Sequence, residues 1–239
     1  MHPPADERPR ALVELVLLLL WFSLFALLDA AAGKDLAAAN AHAGALQAAE
    51  HAVHLDIELS VNAWLAGNPV PSVLAVGLYR LYYVVVAGVL LWVFARHAGF
   101  YREVRRTMVA MTVLVLPVYW AVPMAPPRSA LPGAVDVVAR YDLFHQESWT
   151  HPSHYTAMPS MHVGWSLWCA YAVWTVLRGT HPRLALVPWL FPTLMAADVL
   201  ATGNHYVLDV VGSVILLVLS ILAAAAWGRL AARRRPGGP

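Results

Sequence analysis

Apolar residues fall into six runs along the chain, separated by short segments that carry most of the prolines and charges. The runs cover residues 11–30, 70–95, 108–122, 161–177, 184–200 and 206–227. A helix needs about 20 such residues to cross the roughly 30 Å hydrocarbon core of a bilayer. The pattern predicts an all-α integral membrane protein, a bundle of six transmembrane helices. For the first run, a cleaved signal peptide ending at the small residues 30–32 is the alternative.

The segment 36–65 has a different pattern. Polar residues recur there every four positions, at Glu50, His54, Glu58 and Asn62, and a separate apolar stripe contains Val53, Ile57, Val61 and Trp64. Two such stripes predict one amphipathic helix lying at the membrane interface. Gly67, Asn68 and Pro69 provide the signals that end it.

The composition agrees with a membrane protein. The chain is 60% hydrophobic and 13% charged with a mean hydropathy of +0.59, whereas a soluble domain carries about 25% charged residues. No internal repeat or long linker divides it. We therefore expect a single membrane domain over residues 11–228, preceded by a cytoplasmic tail (1–10) and followed by a basic cytoplasmic tail (229–239). The net charge of +2 comes from arginines in short loops, so it indicates topology and predicts no nucleic-acid partner.

The residue types that commonly bind metals do not form a set here. The single cysteine, Cys169, excludes an internal disulfide and a cysteine-based zinc site. His42, His51 and His54 are spaced by nine and three residues on a polar face. That spacing favours solvated side chains over a metal site.

The positive charges predict the orientation. Twelve arginines lie in the two tails and in the loops that follow the second and fourth runs, whereas the opposite side holds three basic residues, Lys34, Arg128 and Arg140. Because loops rich in Lys and Arg stay cytoplasmic, both termini are predicted to be cytoplasmic in a multi-pass protein of the cell membrane. Arg80 stays unassigned, because it lies within or at the edge of the second run.

A histidine and an aspartate stand four residues apart, His205 and Asp209, at the start of the last apolar run. Residues at this spacing share a face of a helix, so Asp209 is expected to accept a hydrogen bond from one ring nitrogen of His205. Ionisable groups at the mouth of a membrane-spanning helix indicate a functional site. The alternative is that the pair only caps and anchors the helix.

Two further polar motifs are predicted on the same, extracytoplasmic face: Pro-Pro-Arg at residues 126–128 and Pro-Ser-Met-His-Val-Gly at residues 159–164. Together the three motifs suit phosphoryl transfer. Arg128 would bind the phosphate, and Ser160 with the first amides of its helix would add donors. His205 is the candidate nucleophile and His162 the candidate general acid. Gly164 would keep the first turn narrow for close approach. Alone, the second motif reads equally well as a helix cap followed by a packed histidine.

These motifs resemble the type 2 phosphatidic acid phosphatase (PAP2) superfamily, over roughly residues 50–228. The resemblance implies a PAP2-like helical bundle in which His205 accepts the phosphoryl group, Asp209 activates it and His162 protonates the leaving group. The stretch 119–128 is similar to the branch that contains inositol phosphorylceramide synthase, which implies an inositolphosphotransferase-like enzyme. The family's small residue after the aspartate corresponds to Gly212.

The chain departs from the phosphatase branch at two cations. No lysine follows Lys34, and the pair Asp198-Val199 stands where that branch has Ser-Arg. Two positive charges of the phosphate site are therefore missing. Arg80 or Arg140 would have to replace them, and Asp198 would bind the hydroxyl group of an acceptor; both are hypotheses.

Three functions remain open at this stage. The first is a lipid-phosphate enzyme that passes a phosphoryl group from a lipid phosphate or phospholipid to His205, and then to water or an alcohol acceptor. It needs no metal or other cofactor, because arginine and histidine carry the charge. The second is a metal-dependent hydrolase with His162, His205 and Asp209 as ligands. The third is a non-enzymatic lipid-binding or transport protein, whose partners are membrane lipids.

Overall fold

The computed structural model describes residues 9–141 and 155–233, and these residues form helices joined by turns and short loops. Most of the two predicted tails, with Arg8, Arg234 and Arg235, lies outside the described residues. The α-helices are α1 (Ala11–Ala31), α2 (Leu36–Ala52), α3 (Glu58–Ala66), α4 (Pro69–Arg96), α5 (Ala98–Ala121), α6 (Pro127–Ala130), α7 (Val137–Arg140), α8 (Met161–Leu177), α9 (Leu190–Ala201) and α10 (Val207–Arg233). A 3-10 helix, Leu184–Trp189, leads into α9.

Five helical segments in the described residues are long and apolar enough to cross a membrane: α1, α4, α5, the 3-10 helix with α9 (together 184–201), and α10. The expected membrane protein with an all-helical fold is therefore confirmed for the described chain. The remaining predicted span, α8, has 17 residues, which is near the lower limit for crossing a bilayer. The count of six spans stays a prediction.

Helix α8 forms the centre of the bundle. Most of its side chains are buried, and it packs against α4, α9, α10 and the 3-10 helix. Its fully buried Trp168 donates from the indole nitrogen to the carbonyl oxygen of Val104 on α5, at 3.0 Å. This bond satisfies a polar group that would otherwise be buried without a partner. A helix apolar on all sides and surrounded by others needs no lipid contact to be stable.

Helix α5 begins ten residues before the predicted third span. Tyr101, Val104 and Met108 are buried at helical spacing, whereas Arg102 and Arg105 are half-buried. The arginines that suggested a loop therefore belong to an amphipathic first half of the helix. Likewise α10 continues to Arg233, so the basic tail is helical over residues 229–233.

Helix α1 lies at the periphery, with most of its large apolar side chains exposed. Polar contacts tie it to α5. The indole of Trp21 donates to the hydroxyl of Thr112 at 3.0 Å, and the buried carboxylate of Glu14 accepts from the Tyr101 hydroxyl at 2.8 Å. Arg105 also pairs with Glu14. These contacts hold α1 on the bundle although it buries few apolar side chains there.

The single amphipathic helix expected over residues 36–65 is wrong: the segment forms two helices, α2 and α3, with a break at residues 53–57. His54, in the break, has a φ of 57°. The polar residues Glu50, Glu58 and Asn62 are turned inward and are at most 1% exposed, whereas Trp64 is 60% exposed. A four-residue polar period marks one face of a helix but does not say which way that face points. Its position at the membrane interface stays a prediction.

The N-terminus of α8 packs directly on the first turns of α10. The hydroxyl of Ser213 donates to the carbonyl oxygen of Ser160 at 2.7 Å, and the amide of Ser160 donates to the carbonyl oxygen of Asp209 at 3.3 Å. Gly212 lies against Pro159, and a Cβ added at Gly212 would be 3.2 Å from the Cβ of Pro159. The two histidine motifs are thus joined through backbone contacts.

We therefore expect Gly212→Ala to lower the thermal midpoint of the detergent-purified protein by about 2–8 °C, because overpacking costs about 1–3 kcal/mol. Gly88→Ala on α4 is the matched control, since nothing lies within 4 Å of a Cβ at that position. Alanine normally stabilises a helix relative to glycine by about 0.5–1 kcal/mol. Equal midpoints for the two variants would contradict the close contact.

Candidate active site

The three motifs singled out from the sequence meet at one end of the bundle. Arg128 lies in α6, His162 is the second residue of α8, and His205 lies in the turn between α9 and α10. All three line one cavity. The ring centroids of His162 and His205 are 6.0 Å apart. The two rings are therefore close enough for a group of the size of a phosphate to contact both, and Arg128 lines the same cavity.

The expected contact between His205 and Asp209 is present. Nδ1 of His205 lies 3.3 Å from Oδ2 of Asp209, and the two side chains are 8% and 0% exposed. The same Oδ2 accepts the amide of Tyr206 at 2.9 Å. One detail differs from the expectation, because His205 precedes the first residue of α10. Because Nδ1 of His205 contacts Asp209, Nε2 is the ring nitrogen that this carboxylate does not hold.

The imidazole of His205 is kept neutral. Burial lowers its pKa from 6.5 to about 3, and the positive charge of Arg128 acts in the same direction. The carbonyl oxygen of Ala157 has a smaller opposing effect on this pKa. A neutral imidazole keeps a lone pair on one ring nitrogen, which is the form that the predicted role as nucleophile requires.

His162 lies between two tyrosines of α4. Its ring stacks on Tyr79 with 4.2 Å between centroids, and Tyr82 is tilted against it at 4.5 Å. Nε2 of His162 is buried and has no hydrogen-bond partner among the described residues. The stacking fixes the plane of the ring while this nitrogen stays available for a proton. The spacing of Tyr79 and Tyr82, three residues apart on a helix, was the signal in the sequence that they share a face.

Ser160 and Gly164 have local roles in α8. The hydroxyl of Ser160 is the N-cap and accepts the amide of Val163 at 3.4 Å. The amide of Gly164 donates to the carbonyl oxygen of Ser160 at 2.9 Å. A Cβ at Gly164 would meet its neighbours at 3.5 Å or more, so no close approach requires glycine there. Neither residue lines the cavity, and their predicted contact with phosphate stays a prediction.

Arg128 is held in place by two polar side chains that the sequence analysis did not assign. Its Nη1 donates to the amide oxygen of Asn204, and its Nε lies 3.1 Å from Oδ2 of Asp136. The nitrogen of Asn204 donates in turn to the hydroxyl of Thr202 at 2.8 Å. The guanidinium is therefore oriented before any anion binds. The only hint in the sequence that Asn204 belongs to the site was its position next to His205. Nothing in the sequence indicated a role for Asp136.

The sequence analysis also missed two buried glutamates, which bond the first amides of α10. The carboxylate of Glu58 accepts the amide of Val207 at 3.0 Å, and that of Glu50 accepts the amide of Leu208 at 2.6 Å. The side chain of Asn62 bonds the carbonyl oxygens of Val135 and Ala201, each at 2.9 Å. The four-residue polar period in the sequence was the signal, but it was interpreted as a solvated face.

The cavity that these groups share has a volume of about 1070 Å³. We call it the α1–α4 cavity, because apolar side chains of these two helices form its walls: Leu15, Leu18, Phe22, Phe25, Val86, Leu90 and Phe94. Along α1 its lining extends from Ala11 to Ala30, a rise of about 28 Å at 1.5 Å per residue. That is close to the hydrocarbon thickness of a bilayer.

Other residues that the sequence suggested for function lie outside the α1–α4 cavity. Asp198 is 5% exposed, and neither of its carboxylate oxygens has a hydrogen-bond partner among the described residues. It does not line the α1–α4 cavity. His51 lies on the surface and pairs with Asp56 at 2.7 Å. Within residues 9–141 and 155–233, no group of three or more His, Cys, Asp or Glu side chains is placed to hold a metal ion.

A sequence profile of the PAP2 superfamily matches residues 44–223, which is about three quarters of the chain. The chain therefore belongs to the PAP2 superfamily. The matched range includes Arg128, His162, His205 and Asp209. A search of curated proteins finds no significant match, and neither does a search of solved structures. Membership indicates a membrane enzyme of the lipid phosphatase or phosphotransferase type.

We expect Asn204→Ala to weaken the binding of inorganic phosphate to the purified protein by about tenfold or more, since hydrogen bonds to charged groups contribute about 1.5–3 kcal/mol. The variant removes the oxygen that orients Arg128. Asn68→Ala is the control, because the Asn68 side chain bonds the carbonyl oxygen of Trp64 at an exposed helix end. Titration followed by calorimetry measures both. Unchanged affinity in Asn204→Ala would show that Arg128 does not depend on this contact.

Proposed function

We propose that this protein is a lipid-phosphate phosphatase or phosphotransferase that works through a phosphohistidine intermediate on the extracytoplasmic face of the cell membrane. One observation carries the proposal: His205, His162 and Arg128 line a cavity whose longer part is walled mainly by apolar side chains of α1 and α4. Such an arrangement fits a substrate with a charged phosphate and a hydrocarbon tail. Membership of the superfamily supports the same class of reaction.

In the proposed reaction, Nε2 of His205 attacks phosphorus, and the bond between phosphorus and the leaving oxygen breaks. His162 gives a proton to that oxygen, so the lipid leaves as an alcohol. Asp209 holds the His205 ring and stabilises the positive charge that develops on it. Arg128 stabilises the phosphoryl oxygens. Water or another alcohol then attacks phosphorus, returns a proton to His162 and breaks the bond to His205.

The α1–α4 cavity is the proposed site of the lipid tail. Its apolar walls run parallel to the spans over about the thickness of the hydrocarbon core. A lipid lying in it would keep its tail in apolar surroundings while its phosphate reaches Arg128.

Transfer of a phospho-alcohol head group, of the inositol phosphate type, is the second candidate. It differs from the phosphatase reaction in two ways: the group transferred to His205 keeps its own alcohol on phosphorus, and the final acceptor is an alcohol in place of water. The Pro-Pro-Arg sequence at residues 126–128 favours it, because that sequence resembles the transferase branch. Arg128 of this motif lies beside His205 in the cavity. Transfer to an acceptor lipid would require that the acceptor excludes water from the phosphorylated histidine.

The test of the reaction is a trapped phosphoprotein. Purified protein is mixed with labelled lipid phosphates and quenched in alkali, and phosphate release and phosphorylated alcohols are followed together, with and without a chelator. We expect label on the wild type, and loss of label with at least a 1000-fold drop in turnover in His205→Ala, as for removal of a nucleophile. His51→Ala is the matched control, because His51 is an exposed histidine away from the cavity.

Each alternative gives its own result in this experiment. Activity that the chelator removes would indicate the metal-dependent hydrolase. Label that persists in His205→Ala would overturn the assignment of the nucleophile. Binding of lipid with no turnover and no label in the wild type would indicate a non-enzymatic protein. Labelled alcohol products without free phosphate would identify the transferase.

The lipid site has a separate test. Ala26 lines the α1–α4 cavity, whereas Leu20 on the same helix is 64% exposed and does not line it. We expect Ala26→Trp to raise KM for a long-chain lipid phosphate by about fivefold or more, because filling an occupied space costs about 1–3 kcal/mol. Leu20→Trp should leave KM unchanged. If Ala26→Trp affects a short-chain soluble phosphate equally, the tail does not occupy this cavity.

A further inference from the structure

Three successive amides at the start of α10 are each accepted by a carboxyl group. Asp209 accepts the amide of Tyr206 at 2.9 Å, Glu58 that of Val207 at 3.0 Å, and Glu50 that of Leu208 at 2.6 Å. The two glutamates come from α2 and α3, about 150 residues earlier in the chain. A helix start usually satisfies its first amides with its own N-cap side chain. Here distant carboxyl groups do so, directly after His205.

The three carboxyl groups share one buried region. Glu50 and Asp209 are fully buried and Glu58 is 1% exposed. Full ionisation of three acids in such a place is unfavourable, because burial penalises each charge and like charges repel. One Glu50 oxygen, Oε2, is buried and has no hydrogen-bond partner within residues 9–141 and 155–233. A proton shared between Glu50 and Glu58 would remove the repulsion and keep both amide contacts.

The charged and titratable groups around Glu50 are defined for the described part of the chain. Glu58 faces it from α3, and Asp209 and Tyr206 face it from the start of α10. Helix α6 also packs against α2, but its Arg128 is directed to Asn204 and Asp136. On α2 itself, His51 is turned to Asp56. The nearest charges are therefore negative, and the region favours a protonated acid.

We propose that Glu50 and Glu58 are positioning residues for the phosphoryl-transfer reaction, a proton-sharing carboxyl pair that fixes the first turn of α10 and thereby the aim of His205 and Asp209. The pair contacts no reacting atom in this role; it acts through the backbone. The proposal rests on the proposed function for the effect on turnover. The buried proton has its own physical signature, which does not depend on any activity.

The pH dependence follows from the raised pKa. Burial, together with the charges of Glu58 and Asp209, raises the pKa of Glu50 from 4.5 to about 8. Between pH 4.5 and 8 the folded protein holds a proton that the unfolded chain has lost, so stability falls as pH rises through that window. Above pH 8 the added charge repels Glu58 and Asp209, loosens the contact with Leu208 and disturbs the aim of His205.

The test compares Glu50→Gln with Glu50→Ala. Glutamine keeps an oxygen that accepts the Leu208 amide but has no proton to lose near pH 8. We expect Glu50→Ala to lower kcat about tenfold at pH 7 with little change in KM, and Glu50→Gln to restore most of that loss. The wild type should lose turnover above pH 8, and Glu50→Gln should not. Glu58→Gln should shift the alkaline loss to a different pH.

Asp56→Asn is the control, because Asp56 lies between the same two helices but pairs with the exposed His51. It should keep the wild-type kcat and pH profile. The same variants are compared by thermal midpoint in detergent from pH 5 to 9. We expect the midpoint of the wild type to fall between pH 5 and 8, and that of Glu50→Gln to fall less.

The outcomes separate the two proposals. Wild-type turnover with the same alkaline loss in Glu50→Gln would overturn the positioning role and leave the proposed function intact. Absence of turnover and of phosphoprotein in the wild type would overturn the proposed function. The buried proton is then judged on the thermal midpoints alone, and parallel pH curves for wild type and Glu50→Gln would overturn it.

Discussion

The site depends on one buried carboxylate. Asp209, fully buried at the start of α10, contacts the ring of His205 and accepts the amide of Tyr206 with the same oxygen. The direction of the imidazole is thus tied to the N-terminus of a 27-residue helix. Because α8 is bonded to the same turn through Ser160 and Ser213, His162 is fixed relative to this carboxylate as well. A small displacement of the turn would move both histidines.

Buried polar groups are expensive, which explains the density of contacts around the turn. Each amide at the start of α10 has an acceptor, and Arg128 has two partners. Unpaired, such groups would each cost about 1–3 kcal/mol. The longer part of the neighbouring cavity, by contrast, is walled mainly by apolar side chains of α1 and α4. The molecule therefore separates a rigid polar end from a long apolar space, and a lipid phosphate has the same division.

Much of this could be predicted from the sequence, because the signals were local. The helix over residues 161–177 and the contact between His205 and Asp209 follow from an apolar run and a four-residue spacing. The inward direction of Glu50 and Glu58 could not be predicted, because periodicity defines a face but not its partner. The same holds for Asp136, whose contact with Arg128 depends on how separate loops pack. The α1–α4 cavity arises from the peripheral position of α1, which no local pattern encodes.

In the proposed mechanism, Arg128 links the binding of substrate to the charge state of His205. The charge of Arg128 helps to lower the pKa of His205, which keeps the ring neutral. In the proposed reaction a bound phosphate offsets that charge, so the penalty on a positive imidazole is smallest when phosphorus is in place. The ring becomes positive as the bond to phosphorus forms, and Asp209 lies on its other side. In this proposed reaction, positive charge on His205 is therefore less unfavourable with a phosphate bound than without one.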